Sequence, residues 1–361
     1  MRILKNLALS VASLVVSFFL CEIIVRWTDL DHRRLGDPFA QAEWAIRFLV
    51  PDPYLQWRGR PGMELLQPME VVNRRGLRGV ERSRRKAPGV KRVAVLGDSC
   101  TFGIITVNRR RHETPRPYAA LLEEILARNL GPGKVEVINY GVIGYTSYHG
   151  LRMLRREALP DDPDFVVIRF GWNDHLASPA GHSFSNPRCP WEEALLDLAY
   201  RSRLLGMLLY RGLPMEAASG KPWWQNPNPP PWVTPGDYAW NLSRMIDLAR
   251  AHGAQPILLD APPGPRTPEI RNHKDFVKIA GDKTIEQLVA AHAHYQAITA
   301  RVAAEKKVPF IRTADKIEGS DAYFSRTDIA HPNAAGHAVI AERLFAWMVG
   351  PLMRGDAAGT P

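Results

Sequence analysis

The sequence predicts a three-layer α/β domain, a doubly wound parallel sheet with helices on both faces, preceded by one apolar helix at the N-terminus. Three observations predict it. From Lys91 onward, short apolar runs alternate with longer amphipathic ones. The short runs, such as "FVVIRF" and "PILLD", are nearly continuous in apolar residues, the mark of strands buried on both faces. Near the start, Leu7–Val25 is almost free of charge and long enough to cross a bilayer.

The N-terminal element comes first. As a helix, Leu7–Val25 would span about 28 Å. Arg2 and Lys5 precede it, and Ser10, Ser13, Ser17 and Glu22 interrupt it. No small-x-small cleavage pattern follows, and Leu20 is too large to precede a lipoprotein cysteine at Cys21. The expected reading is an uncleaved signal anchor over residues 1–30, with Trp27 at the interface and the body extracytoplasmic, on the periplasmic or extracellular side. A cleaved signal is the alternative. Arg26, Arg33 and Arg34 lie just beyond the segment and weaken any orientation argument from charge. Glu22 stands close enough to one end to reach the interface at modest cost.

Residues 31–90 form a basic linker and hairpin region, rich in Pro and Arg. Between Arg74 and Arg92 there are nine basic residues and one acidic, Glu81. Two readings stand: contact with an anionic surface or polymer, and a solvated linker with a hairpin. "NRRGLRG" reads as a turn leading into a short strand.

The α/β domain is expected over 91–350. Strands are predicted at 92–97, 134–139, 164–170, 255–260 and 308–312, and helices at 115–130, 191–212, 236–252, 284–306 and 333–349. Right-handed crossovers between such strands wind the sheet in both directions. Sites in such sheets form at the carboxyl ends of the strands. The segment 213–235 holds many prolines and three tryptophans and suits neither a core strand nor a core helix. It reads equally as a lid or substrate platform and as an ordered surface loop.

The bulk numbers exclude several classes. The chain has 361 residues, 45% hydrophobic and 23% charged, with a net charge of +10. No zinc-finger, RNP-type or helix-turn-helix pattern accompanies that charge, so nucleic acid is not an expected partner. Three cysteines, Cys21, Cys100 and Cys189, are too few for a disulfide scaffold, although the last two are free to pair. His292 and His294, with His273 nearby, suggest a metal site, but the His-x-His spacing on a helix sends the rings to different faces. A solvated helix is expected there, with no metal and no cofactor. Arg109, Arg110 and Arg111 read either as a greeting for an anionic substrate or as a solvated loop.

The first strand ends in "VLGDSCTFG", which places Ser99 at the mouth of a buried strand. A serine hydroxyl is a weak nucleophile and needs a base, a group that orients the base, and donors for an oxyanion. "TDIAHPNAAGH" offers the first two. Asp328 and His331 are three residues apart, just ahead of a helix starting near Asn333. At that spacing the carboxylate can hold Nδ1–H and leave Nε2 for the Ser99 proton. His337 in the same stretch is expected on the helix surface. Donors are available from Gly141 and Gly144 in "NYGVIGYTS", from the Asn173 carboxamide in "FGWND", and from the Ser99 amide itself. Asp98 is expected to cap the turn, and Cys100 to be a small filler.

Four successive strand ends thus carry Ser, Gly, Asn and Asp/His. In these blocks the chain resembles the SGNH (GDSL-type) hydrolases: "GDS" the first block, "GVIGYTS" the second, "GWND" the third and "DIAHPNAAGH" the fifth. The resemblance covers roughly residues 70–348. It implies a flavodoxin-like α/β fold, Ser99 as nucleophile, His331 as base, Asp328 as its orienting partner, and an oxyanion hole of Ser99, Gly144 and Asn173. The preference for Gly144 over Gly141 rests on the family block. The G-x-S-x-G elbow of α/β-hydrolases is absent. The upstream anchor and "GDSCTFG" resemble a membrane-anchored branch. The implied activity is cleavage of small acyl esters, acetyl foremost, on a glycan or small molecule. The alternatives are an O-acyltransferase acting on an extracytoplasmic polysaccharide, a lipase or lysophospholipase, and a catalytically silent binding module built on the Trp-rich segment.

Overall fold

The computed structural model describes residues 2–28, 48–52, 54–65, 71–107, 110–113, 116–178, 182–205, 230–271 and 283–354. Five parallel strands make the central sheet: β3 (Lys91–Gly97), β6 (Val135–Gly141), β7 (Phe165–Arg169), β8 (Gln255–Leu259) and β9 (Phe310–Ile311). Their order is β6-β3-β7-β8-β9, the doubly wound arrangement in which the first strand lies inside one edge strand and the order reverses beside it. Gly97 pairs with Gly141 on one side and with Arg169 on the other. The carboxyl end of β3 therefore opens at that reversal.

Alternation along the strands builds two cores. Ala94, Leu96, Ile138, Tyr140, Val166, Ile168 and Leu258 point to one face, which is covered by α4 (Ser147–Met153), α6 (Pro235–Ala251) and α7 (Ile285–Lys306). Val93, Val95, Val137, Phe165, Val167 and Ile257 point to the other, under α3 (Tyr118–Leu130) and α8 (Ala334–Arg354). Burying each such Val, Leu, Ile or Phe contributes about 1.5–3 kcal/mol. The three expected layers are present.

Element ends differ from expectation where local chemistry intervenes. α3 begins only after Pro117, which caps it with extended backbone. The helix expected over 191–212 is α5 (Pro190–Arg201), which breaks at Ser202; helical residues resume at 203–205 and the remainder lies outside the described residues. Strand 308–312 shrinks to Phe310–Ile311 at the sheet edge. α4 was not predicted; it begins under the capping box of Thr146 and His149 and continues as a π turn over Leu154–Ala158. Most of the 213–235 segment, with Trp223 and Trp224, lies outside the described residues, as do His273 and Arg109. Trp232 is buried and donates to the Ala177 carbonyl at 2.8 Å.

Much of the basic run is ion-paired to the body, while Arg74, Arg84 and Arg85 stay exposed to solvent. Arg75 pairs with Glu157 and Asp161, Arg82 with Glu123, Lys86 and Lys91 with Asp164, and Arg92 with Glu136. The "NRRGLRG" turn is present. Asn73 Oδ1 accepts from the amides of Arg75 and Leu77, and Gly76 has φ +75°. Isolated antiparallel bridges, Val72 to Arg78 and Arg78 to Asn139, replace the expected short strand. A hairpin that was not predicted, β1 (Leu49–Asp52) with β2 (Gln56–Gly59), packs beside it.

α1 (Arg2–Thr28) is one continuous helix, long and apolar enough over Lys5–Thr28 to cross a membrane; a signal sequence has the same length and composition. Glu22 does not reach outward from it. The residue is buried against residues 202–204.

Candidate active site

The nucleophile turn is shaped by close packing. A Cβ on Gly97 would lie 1.9 Å from Thr101 Oγ1 and 2.9 Å from the Arg169 carbonyl oxygen, so the strand exit tolerates only glycine. Asp98 then caps a single helical turn, α2 (Ser99–Phe102), with Oδ1 accepting from the Cys100 amide at 2.9 Å. The turn closes on Gly103 at φ +100°, whose N–H bonds the Ser99 carbonyl. Arg78 braces its carboxyl end, donating to the carbonyls of Phe102 and Gly103 at 2.8 and 3.2 Å. A cation suits that end of a helical turn.

Three side chains from two distant parts of the chain meet there. Ser99 Oγ lies 2.8 Å from His331 Nε2, and His331 Nδ1 lies 2.8 Å from Asp328 Oδ2. A carboxylate only accepts, so Nδ1 carries the ring proton and Nε2 accepts from the serine hydroxyl. Ser99 and Asp328 are 9% exposed and His331 5%. Asp328 Oδ1 is held by the amides of Ala330 and His331 at 2.9 and 3.0 Å. Its Oδ2 also accepts from Thr106 Oγ1, on the β4 strand (Ile104–Val107) of a hairpin with β5 (Arg110–Glu113). Each oxygen of Asp328 thus has two donors, which fixes the carboxylate and through it the ring.

The second and third blocks are tied to this turn and to each other. The Val142 amide donates to the Gly97 carbonyl at 3.2 Å. Gly144 occupies the left-handed region at φ +82°, in the turn closed by the Tyr145 amide on the Val142 carbonyl. Gly141 does a different job: a Cβ there would sit 2.4 Å from the Phe102 backbone nitrogen. Asn173 Nδ2 donates to the Tyr145 carbonyl at 2.8 Å, so one carboxamide hydrogen is engaged and the other remains to donate elsewhere. Asp174 joins the two loops, accepting from the Ser147 amide and hydroxyl at 2.9 and 2.6 Å and from the Gly171 amide at 3.1 Å. Burial pushes its carboxyl up to about 7, against those hydrogen bonds. The β1–β2 hairpin supports the second block from outside. Trp57 Nε1 donates to the Ile143 carbonyl at 2.9 Å, and the Tyr145 hydroxyl donates to the Trp57 carbonyl at 2.7 Å.

Two neighbours were misjudged. His337 is buried, not on the helix surface, and its Nδ1 accepts from the Tyr118 amide at 3.2 Å. His292 is buried as well, stacked on Trp172 with ring centroids 3.8 Å apart, while His294 is exposed. Cys100 is a filler: burial holds its thiol far above the ordinary range, and Sγ donates to the Ala330 carbonyl. Among the described residues, no cluster of His, Cys, Asp and Glu has the makings of a metal site, and all three cysteines are free. Sequence reasoning missed Thr106, Arg78 and the Asp174–Ser147 link.

The model of the GDSL-like lipase/acylhydrolase family matches residues 95–339, which includes every block above. The chain belongs to that family. This GDSL-like acylhydrolase is therefore an enzyme of ester bonds. Among solved structures, the lipase/acylhydrolase from Enterococcus faecalis is 18% identical, with a TM-score of 0.44 over 72% of this chain and 96% of that one. A catalytic mutant of an acetylxylan esterase from Geobacillus stearothermophilus is 16% identical, with a TM-score of 0.42 over 72% and 95%. A GDSL-like lipase from Bacteroides thetaiotaomicron is 17% identical, with a TM-score of 0.40 over 73% and 89%. No curated protein matches the acylhydrolase in sequence.

Proposed function

We propose that this acylhydrolase is a membrane-anchored, extracytoplasmic serine esterase that releases small acyl groups, acetyl foremost, from a glycan or small ester. The observation that carries the reading is the unbroken hydrogen-bonded line from Ser99 Oγ through the His331 ring to Asp328, at 2.8 Å in both steps. Ser99 Oγ attacks the ester carbonyl while His331 Nε2 takes its proton. The oxyanion is received by the Ser99 and Gly144 amides and the Asn173 carboxamide. His331 then returns the proton to the departing alkoxide, and water, deprotonated by the same ring, cleaves the acyl-serine. Asp328 holds the ring and stabilises the imidazolium.

Fluorophosphonate labelling with peptide mapping tests the site. The label is expected on Ser99, and Ser99→Ala and His331→Ala are expected to lose both label and turnover. A label elsewhere, or turnover surviving in Ser99→Ala, overturns the reading. A chain-length series of p-nitrophenyl esters, followed by acetylated oligosaccharides, then ranks acetyl against longer acyl groups and water against a sugar hydroxyl as acceptor.

A further inference from the structure

Glu22 is the one acidic residue in α1, and its carboxylate is fully occupied. Oε1 accepts from Arg26 Nε at 2.7 Å and from the Arg203 backbone N–H at 2.9 Å. Oε2 accepts from Ser202 Oγ at 2.7 Å and from the Leu204 N–H at 2.9 Å. Two more bonds cross the same junction: Arg26 Nη2 to the Arg201 carbonyl at 3.1 Å, and Arg203 Nη1 to the Arg26 carbonyl at 3.3 Å. Beside them, Leu204 lines one apolar groove together with Leu14, Val15, Phe18 and Cys21 of α1. Ionisable groups in membrane helices are kept where a specific partner meets them. Here three of the four donors to the carboxylate come from residues 202–204, some 180 positions along the chain. A leader destined for removal has no use for such a partner, and its loss would strand those donors.

We infer that α1 is a permanent part of the folded enzyme, clamped by Glu22 to the end of α5, and that the clamp fixes the catalytic body in one pose against a lipid bilayer. The inference rests on the membrane-anchor reading. The bilayer is the occupant that the remaining surface suits. Leu7, Leu14, Ile23, Ile24 and Trp27 of α1 stay exposed, and α5 exposes Trp191 and Leu195 one turn apart. An aromatic and a leucine on one helical face match the membrane–water interface.

The test uses the full chain in membranes, with Cys189→Ser to remove a competing exposed thiol and Leu204→Cys to pair with native Cys21. A short bis-maleimide is expected to join the α1 peptide to the peptide holding position 204. Adding Glu22→Leu is expected to cut that product at least roughly tenfold, because the donors it faced are left unpaired. Membrane retention and p-nitrophenyl acetate turnover in detergent should persist, which separates undocking from unfolding. Absence of the cross-link in the Glu22 chain, or equal yield in Glu22→Leu, overturns the clamp and leaves the anchor reading standing. A mature N-terminus beyond residue 28 overturns both.

Discussion

Mild acid is expected to loosen this protein, and His292 isolates the cause. The ring is 1% exposed, stacked on Trp172, with Nε2 donating to the Ala261 carbonyl at 2.5 Å. Burial lowers its pKa from 6.5 to about 4; the Arg169 charge pushes the same way and the Ala261 bond opposes. A folded pKa below the unfolded one means the unfolded chain takes the proton first. Stability is therefore complete above pH 6.5 and is lost as pH falls toward 4. At about 1.36 kcal/mol per pKa unit the whole window is worth roughly 3 kcal/mol, of which about 2 is gone by pH 5. His292→Gln cannot titrate and keeps an N–H for Ala261, but loses the stack. It should be less stable than the parent at pH 8 by about 1 kcal/mol, and its drop between pH 8 and pH 5 should be smaller by about 2 kcal/mol. Urea unfolding in mild detergent at both pH values, followed by tryptophan fluorescence, reads both quantities. Parallel pH dependence in parent and variant would refute the reasoning. His149, His175 and His337 are buried and depressed too, His337 to about 3, so the parent's total acid loss should exceed the His292 share. Asp174, raised by burial, works in the opposite direction.

Other perturbations separate the parts of the site. Asn173→Ala should lower kcat about 10²-fold or more with little change in KM, and a near-normal rate would misplace the oxyanion hole. Thr106→Val removes a hydroxyl bonded to a carboxylate, worth about 1.5–3 kcal/mol; a kcat loss of about tenfold or more is expected, with an altered pH–rate profile and recovery in Thr106→Ser. Gly141→Ala places a Cβ 2.4 Å from the Phe102 backbone nitrogen; thermal unfolding should show a destabilisation of about 1–3 kcal/mol, because backbone, not a flexible side chain, must give way.

The sheet was legible because both faces of its strands are covered, which leaves uninterrupted apolar runs. The Asp328–His331 pair was legible because three residues on one turn fix their separation. Thr106 was not: its partner lies 222 positions away, and nothing in "IITV" marks one threonine as a donor to a carboxylate. Arg78 stood in a basic run whose partners come from α3, β6, the segment after α4 and the carbonyls of the nucleophile turn, so composition made it look free. The β1–β2 hairpin is short and contains Pro51, which weakens any strand signal. The histidines are a different failure. His337 falls in phase with Ile340, Ala341, Leu344 and Met348, and His292 with Leu288, Val289 and Tyr295, all buried. The helical period therefore places both rings on the buried faces of their helices.

The paired strap at 74–92 changes how the formal charge of +10 should be understood. The charged groups of Arg75, Arg82, Lys86, Lys91 and Arg92 face carboxylates at 2.6–3.2 Å on Glu123, Glu136, Glu157, Asp161 and Asp164. Cations neutralised at home have less field left for a polyanion, so the paired arginines add little to any attraction of that kind. The strap's pairs to Glu136 and Asp164 hold the strand entrances on the rim away from Ser99, where a lost ion pair would be felt in folding before it touched turnover, whereas Arg78 reaches the nucleophile turn itself.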